Sequence, residues 1–485
     1  MWYCDVVVML RRKAYDLLLE WKHRPGHKSL LVRGQRQVGK TYIIREFSKT
    51  YDYCIEVDLS VNSRMRQVFE ESSNVDHIIQ MMTLEDYRFK PVPGKTLIFL
   101  DEIQSCPSAR SFLKQFTLDG RFDVIASGSL LDIPIFSDGS DKGTHLLPVG
   151  YEEHFRMFGL DFEEFLWAIG FSGEIIDTMK ASLSEKHPLP TALLDSLNAA
   201  FDEFMAVGGM PEAVKTFIDS RSYQYVKRVL DSIVMTCYND IFKYSRDTDA
   251  LKIRKCYDSI PIQLAESNKK FMYSRIGEEK SRSGARKYGD ALLWIEGAGI
   301  GNMCYRLRGI DKPLGMSRDL DHFKVYMSDT GTLVRLMDGT NEDNTVLRSI
   351  MSKDTSFNNG ALVENVVAEC LMKSGIHCNY YINRKNPGRM ELDFVVNLGS
   401  EIVAIEVKSG KDREAPSLSK TIGDARFQRR MKFERGNVYL DEDGIEHYPL
   451  FASAFMNDLS KKVDDVDSYF ADNRSMYSQF TRESS

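Results

Sequence analysis

The sequence predicts an α/β protein of several domains, and three observations support that prediction. In the N-terminal third, short apolar runs alternate with segments of helical spacing, the pattern of a parallel sheet covered by helices. The middle of the chain has helical periodicity over long stretches. Near the C-terminus, a helical segment precedes apolar runs that alternate well enough for paired strands. A chain of 485 residues has room for about two to four such domains.

The composition is that of a soluble globular protein, with 43% hydrophobic and 28% charged residues. No apolar run reaches the roughly 18 residues that a membrane-spanning helix needs, so we expect no membrane segment. The N-terminus places basic residues after a short apolar stretch, the wrong order for a secretory signal, and a reading from Met9 already begins with a complete helix. The eight cysteines include no C-x-x-C pair, which indicates reduced thiols. We therefore expect a cytoplasmic protein.

Basic residues concentrate in two segments, although the net charge of −6 argues against indiscriminate coating of nucleic acid. The segment 269–287 contains Lys269, Lys270, Arg275, Lys280, Arg282, Arg286 and Lys287. The segment 420–435 contains Lys420, Arg426, Arg429, Arg430, Lys432 and Arg435. Local patches of this kind are typical of a restricted DNA or RNA surface, and a solvated basic face is the alternative.

A phosphate-binding loop follows the first apolar run, at 29–32. The pattern G-x-x-x-x-G-K-T leads into helical spacing, which is the context that such a loop requires. Its residues are Gly34, Gln35, Arg36, Gln37, Val38, Gly39, Lys40 and Thr41. We expect the backbone N–H groups to surround the phosphates of ATP, Lys40 to neutralise β/γ charge, and Thr41 to bind Mg²⁺.

An acidic pair, Asp101 and Glu102, follows a second strand-like run at 97–100. In open α/β sheets ligands bind beyond the carboxyl ends of the strands. We expect Asp101 to hold the Mg²⁺ and Glu102 to orient or deprotonate the attacking water. A helix N-cap is the alternative explanation of the pair.

Further polar residues lie near the same predicted edge. Ser127 and Ser129 end the run at 121–131, where a serine can sense the terminal phosphate, although a simple Ser-Gly turn explains them equally well. Arg110 and Arg121 are candidates for neutralising transition-state charge.

Several motifs resemble the AAA-type P-loop ATPases of bacteria and archaea, in which a C-terminal region of unknown function follows the ATPase. They are LLVRGQRQVGKT, LIFLDEIQSCPSARSFLKQF, FDVIASGSLL, LDFEEFLWAIG, AVGGMPEAV, DIFKY, FKVYMSDTGTL and GALVENVVAEC. The resemblance covers residues 10 to 450 and implies ATP hydrolysis. Many relatives have a Gly-Arg pair after the fourth strand; here Arg156 lies nearby but outside that pattern, so the arginine finger is unassigned.

The middle of the chain predicts two modules. Residues 166–245 resemble the helical lid of an AAA module, with Pro211 opening a helix after a glycine turn. Residues 246–335 resemble a winged helix-turn-helix that would contact DNA phosphates. A packing or dimerisation domain is the alternative. The candidate phosphate contacts are Lys269, Lys270, Arg282, Arg286 and Lys287.

The C-terminal α/β segment, 336–455, carries an ordered set of charged residues. Glu364 lies on a predicted helix, Asp393 on a strand, and Glu406 and Lys408 on one face of the next strand. This order resembles the PD-(D/E)XK nucleases, which implies Mg²⁺ or Mn²⁺ bound by the carboxylates and Lys408 as a catalytic residue. An inactive metal-binding relic and a hairpin with solvated charges are the alternatives.

Together these motifs predict an ATPase domain at 10–165 whose nucleotide state controls a metal-dependent nuclease-like domain, with a polar tail at 456–485. The alternative is a non-cleaving ATP-driven switch that binds DNA or a partner protein. The sequence indicates no oligomeric state and no physiological trigger.

Overall fold

The computed structural model describes residues 10–86, 89–129, 150–243, 245, 247–266, 268–276, 284–339, 344–352, 360–384, 389–410 and 416–460. The chain forms two compact units that interleave along the sequence. The first contains Met1–Ser172, Asp202–Met303 and Val325–Phe357; the second contains Gly173–Phe201, Cys304–Lys324 and Asn358–Ser485. The predicted domains, in contrast, are contiguous segments, and their boundaries stay a prediction. Met9 and the tail beyond residue 460 lie outside the described residues.

The N-terminal part of the first unit alternates helices and strands. Its elements are α1 (Lys13–His23), β1 (Ser29–Arg33), α2 (Lys40–Ser48), β2 (Tyr53–Asp58), α3 (Ser63–Glu71), α4 (Val75–Glu85), β3 (Thr96–Asp101), α5 (Pro107–Asp119), β4 (Asp123–Gly128), β5 (Glu152–Arg156) and α6 (Phe162–Ile169). The strands pair in parallel in the order β2-β3-β4-β1-β5. Because parallel strands end at the same edge, the residues after β1, β3 and β4 meet there.

The core of this sheet is apolar because its central strands, β1, β3 and β4, are buried on both faces. Leu31, Ile98 and Leu100 are completely buried among residues of α3, α4 and α5. Each such side chain stabilises the fold by about 1.5–3 kcal/mol relative to exposure. The predicted α/β class with a parallel sheet is confirmed for this part of the chain.

The middle of the chain is mainly helical, as its periodicity predicts. The elements are α7 (Gly173–Glu185), α8 (Thr191–Val207), α9 (Pro211–Ser220), α10 (Tyr223–Lys243), α11 (Asp247–Ala265), α12 (Gly284–Gly297), β6 (Gly301–Leu307), β7 (Arg318–Met327), α13 (Thr330–Asp338) and α14 (Thr345–Ser352). Pro211 is the first residue of α9, as expected. Within 246–335, α11 and α12 precede β6 and β7, and the assignment of this segment as a winged helix stays a prediction.

The C-terminal part of the second unit is built around a mixed sheet. Its elements are α15 (Gly360–Lys373), β8 (Asn379–Asn383), β9 (Met390–Leu398), β10 (Glu401–Val407), α16 (Pro416–Ser419), β11 (Arg429–Glu434), β12 (Tyr439–Leu440) and β13 (Glu446–Pro449). β9 pairs antiparallel with β8 and β10, and β10 pairs parallel with β11. Val403 and Ile405 are completely buried, in agreement with the buried sheet inferred from the sequence.

Two expectations concern the whole described chain. The cysteines among the described residues are free thiols, as predicted. None of the described helices combines the length and apolarity needed to cross a membrane.

Candidate functional site

The phosphate-binding loop joins β1 to α2 in a shape that depends on its glycines. Gly34 has φ +155°, and a Cβ at this position would lie 2.1 Å from the Met157 carbonyl oxygen. Gly39 has φ +92° and caps the N-terminus of α2 in the left-handed region. The loop therefore forms a close-fitting cradle that ends at a helix N-terminus, where backbone N–H groups favour phosphate.

Lys40 lies buried across this loop. Its Nζ donates hydrogen bonds to the carbonyl oxygens of Gly34 (2.8 Å) and Gln35 (2.9 Å). Burial lowers the pKa of Lys40 to about 8, although the nearby carboxylates of Glu102 and Asp101 oppose this effect. An entering phosphate would supply the strong anionic acceptor that these two neutral carbonyls do not provide.

Asp101 is the centre of the polar cluster beside the loop. Thr41 Oγ1 donates to its Oδ2 at 2.9 Å, and Ser127 Oγ donates to its Oδ1. The structure thus brings together three predicted residues from α2, β3 and β4. A hydroxyl and a carboxylate oxygen at this spacing fit a Mg²⁺ ion whose other ligands are phosphate oxygens and water.

Glu102 follows Asp101 in the left-handed region, with φ +52°. Its backbone N–H donates to Asp101 Oδ1 at 3.1 Å, and Gln104 Nε2 donates to its carboxylate. A non-glycine residue in this conformation is uncommon and costs about 1–3 kcal/mol. The strained turn places Glu102 beside Asp101, where we expect a carboxylate that orients the attacking water.

Arg36 adds an ion pair that sequence reasoning missed. Its Nε lies 2.7 Å from Oδ2 of Asp240 on α10, and its Nη2 lies 3.9 Å from Oε2 of Glu102. Burial raises the pKa of Asp240, while Arg36 opposes the shift. The only sequence signal was the DIFKY motif, which contains Asp240 but indicates no partner.

Arg12 is a second missed residue. Its guanidinium is buried and donates to the carbonyl oxygens of Val38 (3.0 Å) and Phe158 (2.7 Å) and to Glu164 Oε1 (3.2 Å). Asp161 and Glu164 form the capping box of α6. Arg12 therefore ties the phosphate loop to the segment between β5 and α6.

Asp329 explains two motifs that had no assigned chemistry, SDTGTL and GGMPEAV. It caps α13 by accepting from the Thr332 N–H at 2.8 Å, and its other oxygen accepts from the Gly209 N–H at 2.7 Å. A Cβ on Gly208 would lie 2.5 Å from its Oδ1. The carboxylate thus holds the glycine turn before α9.

The arginines proposed for charge neutralisation have other partners. Arg110 pairs with Glu152 at 3.0 Å. Arg121 pairs with Asp119 and Asp76, and it precedes β4, at the sheet edge opposite the phosphate loop. The suggested role of Arg121 is therefore wrong, because parallel strands carry it to the far end of the sheet. Arg156, at the end of β5, stacks against Phe158 with its guanidinium carbon 5.0 Å from the ring centroid.

The predicted carboxylates of the second unit meet where β9 lies against β10. Ile405 pairs with Phe394, so Asp393 and Glu406 lie next to each other, and Asp393 Oδ2 accepts the Val407 N–H at 2.9 Å. Glu406 is buried; its Oε1 lies 2.8 Å from Lys408 Nζ, and its Oε2 accepts the Leu418 N–H at 3.3 Å. The alternative of solvated hairpin charges is therefore wrong for Glu406, because its side chain is buried.

A buried lysine occupies the space beside the other predicted ligand. Lys324 Nζ donates to Glu364 Oε1 at 2.8 Å and lies 3.9 Å from Glu391 Oε1. Burial alone would lower the pKa of Lys324, but the carboxylates of Glu364 and Asp393 outweigh it and raise the pKa. Among the described residues no group of three or more His, Cys, Asp or Glu side chains could hold a metal ion. As arranged, lysines neutralise Glu364 and Glu406, and the assignment of Glu364, Asp393 and Glu406 as metal ligands stays a prediction.

The basic segments differ in what they expose. In 420–435, Lys432 is completely buried beside Glu434 (2.9 Å), and Arg429 is buried with Glu446 (2.7 Å). The expectation that these two residues contact nucleic acid is wrong, because ion pairs inside the sheet hold them. In 269–287, Arg275 and Lys287 are exposed, whereas Lys280, Arg282 and the side chain of Arg286 lie outside the described residues.

The fold and the cluster of Lys40, Thr41, Asp101 and Glu102 define a P-loop nucleotide-binding domain of the AAA type. Residues 26–166 match a family model described as AAA domain. Residues 198–343 and 359–450 match two families, each described as a domain of unknown function, DUF8612 and DUF4143. No curated protein matches the sequence at a significant level. The match of residues 26–166 agrees with the prediction of a P-loop AAA-type domain in this part of the chain.

Three solved structures that match this chain share little sequence with it. The Walker-type ATPase PABY2304 of Pyrococcus abyssi has 12% identity over 68% of this chain and 96% of its own, with a TM-score of 0.38. The Aeropyrum pernix ORC1 protein, in complex with DNA, has 13% identity over 73% of this chain and 96% of its own, with a TM-score of 0.26. Drosophila ORC bound to AT-rich DNA and Cdc6 has 11% identity over 43% of this chain and 90% of that chain, with a TM-score of 0.19. These values are too low to support a functional conclusion.

Proposed function

We propose that this protein is an ATP-hydrolysing switch. The observation that supports it is the convergence of Thr41 and Ser127 on Asp101, beside a glycine cradle at the N-terminus of α2. A structural N-cap would explain one acidic residue, but it would not explain hydroxyl groups from two further elements directed at the same carboxylate.

The residues divide the work of hydrolysis. Lys40 would leave the loop carbonyls and neutralise the β/γ-phosphates, while Thr41 and Asp101 hold Mg²⁺. Bound Mg²⁺ would neutralise the charge that develops on the phosphate oxygens. Glu102 would accept a proton from the attacking water or orient it, since its strained backbone already presents it beside Asp101.

The Glu102→Gln variant tests this assignment. Removing a general base lowers turnover by roughly 100- to 10,000-fold. Phosphate release from ATP should therefore fall by at least that lower factor, while calorimetric binding of ATP stays near the wild-type value. Glu46→Gln, at a partly exposed residue of α2 that pairs with Lys49, is the control and should keep its turnover. Unchanged turnover in Glu102→Gln would remove Glu102 from the mechanism.

For the second unit we carry two candidate functions. Metal-dependent cleavage of nucleic acid, under control of the nucleotide state, is supported by the adjacency of Asp393, Glu406 and Lys408. A non-cleaving switch that binds DNA or a partner protein is supported by the lysine pairing of Glu364 and Glu406. The geometry favours the second, because each ammonium already supplies the charge that a metal would bring.

Calorimetric titration with Mn²⁺ separates the two. A Lys40→Ala background lowers nucleotide-linked metal uptake, and Asp393→Asn in that background removes one candidate ligand. Identical isotherms for the two proteins, together with no cleavage of single- or double-stranded DNA or RNA, would support the non-cleaving switch. A binding event lost on Asp393→Asn would support the nuclease-like site.

A further inference from the structure

Arg36 is a second cation within the phosphate loop, and it differs from Lys40 in its partners. Lys40 is bound by neutral backbone carbonyls, whereas Arg36 is bound by a carboxylate from another element. The guanidinium lies between Asp240 at 2.7 Å and Glu102 at 3.9 Å. Arg36 therefore lies beside Glu102, the residue expected to orient the water that attacks the terminal phosphate.

The Arg36–Asp240 pair borders a small cavity. A cavity of about 20 Å³ adjoins Arg36 and Asp240, which is enough for one water molecule. The Trp294 indole also lines it, and its buried Nε1–H has no hydrogen-bond partner among the described residues. The region around the ion pair is thus neither fully packed nor fully hydrogen-bonded.

Electrostatics favours an exchange when the terminal phosphate of ATP is present. A phosphate binds a guanidinium with two parallel charge-assisted hydrogen bonds, and it carries more charge than one carboxylate. Burial already raises the pKa of Asp240, so its ionised form is costly where it lies and it is a weakened competitor. ADP lacks the terminal phosphate and would not offer Arg36 this alternative.

Building on the proposed ATP-binding function, we propose that Arg36 is the residue that distinguishes ATP from ADP, by exchanging Asp240 for the terminal phosphate. In the nucleotide-free and ADP-bound states Arg36 fastens the loop to α10 through Asp240. In the ATP-bound state Arg36 binds the terminal phosphate, and its ion pair with Asp240 on α10 is broken. Binding of the terminal phosphate thus changes the contact between the loop and α10 in the helical part of the first unit.

Binding constants for ADP and for a non-hydrolysable β,γ-imido analogue of ATP test the exchange in the full-length protein. Arg36→Ala should weaken the analogue roughly 10- to 100-fold, the worth of one charge-assisted contact, and should leave ADP within about twofold. Asp240→Asn frees Arg36 and should tighten the analogue several-fold without changing ADP. Arg45→Ala is the matched control, because Arg45 on α2 pairs with Glu56 on β2. This variant should change neither the ADP nor the analogue binding constant.

Two results would overturn the inference. One is an equal effect of Arg36→Ala on both nucleotides or on neither, and the other is unchanged or weaker analogue binding in Asp240→Asn. If Arg36→Ala fails to fold because Asp240 is left unpaired, the Arg36→Ala/Asp240→Asn double variant removes that charge and should show the same selective loss. Failure of the proposed function looks different, because the wild-type protein would then bind neither nucleotide.

Discussion

Lys324 donates a 2.8 Å hydrogen bond to Glu364, and the side chains are 2% and 4% exposed, respectively. The pair joins β7 to α15 within the second unit. Removing water from two such charges is costly, and their mutual attraction offsets that cost only while both are present. The stability of this unit should therefore depend on Lys324 even if the unit has no catalytic role.

Lys324→Met should destabilise the protein by about 3–5 kcal/mol, because it removes the ammonium group that offsets the burial of the Glu364 charge. Urea unfolding measures the change. Lys324→Met/Glu364→Gln should regain most of the loss, and Lys420→Met at an exposed site should stay within about 0.5 kcal/mol of wild type. A silent Lys324→Met substitution would show that the ion pair does not form in solution.

Lys40→Ala should weaken ATP binding by about 1.5–3 kcal/mol, the value of a hydrogen bond to a charged group. Calorimetric titration with ATP and Mg²⁺ measures it. Lys49→Ala removes an exposed lysine just after α2 that pairs with Glu46, and this variant should bind ATP normally. Equal affinities for the two variants would contradict the phosphate-loop assignment.

Asp329→Ala should cost about 2–4 kcal/mol of unfolding free energy. The loss combines the N-cap of α13, about 1 kcal/mol, with a buried Gly209 N–H left without its acceptor, about 1–3 kcal/mol. Asp329→Asn keeps one acceptor oxygen and should lose less than Asp329→Ala. Thermal or urea unfolding checks the order, and equal losses in the two variants would show that the carboxylate charge rather than hydrogen bonding matters.

The stability of the first unit should fall as pH rises through the neutral range. The hydrogen bond to Asp123 raises the pKa of His27 above its ordinary 6.5, and burial only partly opposes this. The folded protein thus keeps the proton to a higher pH than the unfolded chain. The stabilisation is complete below pH 6.5 and is lost as pH rises through the folded-state pKa.

Urea unfolding at a series of pH values measures this dependence. His27→Gln should flatten the decrease above pH 6.5, whereas His187→Gln, at an exposed histidine, should leave it in place. An identical pH profile for wild type and His27→Gln would contradict the proposed linkage.

Nucleic-acid binding, if it resides in 269–287, should weaken steeply with salt. Neutralising Lys269, Lys270, Arg286 and Lys287 together should reduce the slope of log K against log salt by up to about four. Neutralising Arg429 and Lys432 should instead destabilise the fold, because both are buried in ion pairs. An unchanged slope in the quadruple variant would leave this segment as a packing or dimerisation module.

Much of the nucleotide site could be predicted because its information is local. The motif from Gly34 to Thr41 is a continuous stretch, and Asp101 and Glu102 directly follow a buried strand. Period-two and helical patterns gave the strands around them, since side-chain burial follows backbone geometry over a few residues. The parallel order of the sheet then brought Ser127 to Asp101, as expected from the ends of parallel strands.

The contacts that the sequence did not predict join distant parts of the chain. Arg36 and Asp240 are 204 positions apart, and nothing in the sequence predicts that they form an ion pair. Arg12, Asp329 and Lys324 likewise pair with groups far away in sequence. In the sequence these charged residues look like ordinary surface residues, because the burial of a polar side chain depends on which parts of the chain pack over it.

The sequence by itself therefore determined the class of the N-terminal domain, its phosphate loop and its acidic pair, because each is written in consecutive residues with a fixed backbone geometry. It also placed Asp393, Glu406 and Lys408 on neighbouring strands. Only the tertiary structure decided how the charges are neutralised: Lys324 and Lys408 bind the carboxylates of the second unit, and Asp240 pairs with Arg36 of the loop. A buried charge must find its partner in space, and that partner is chosen by packing rather than by proximity in the chain.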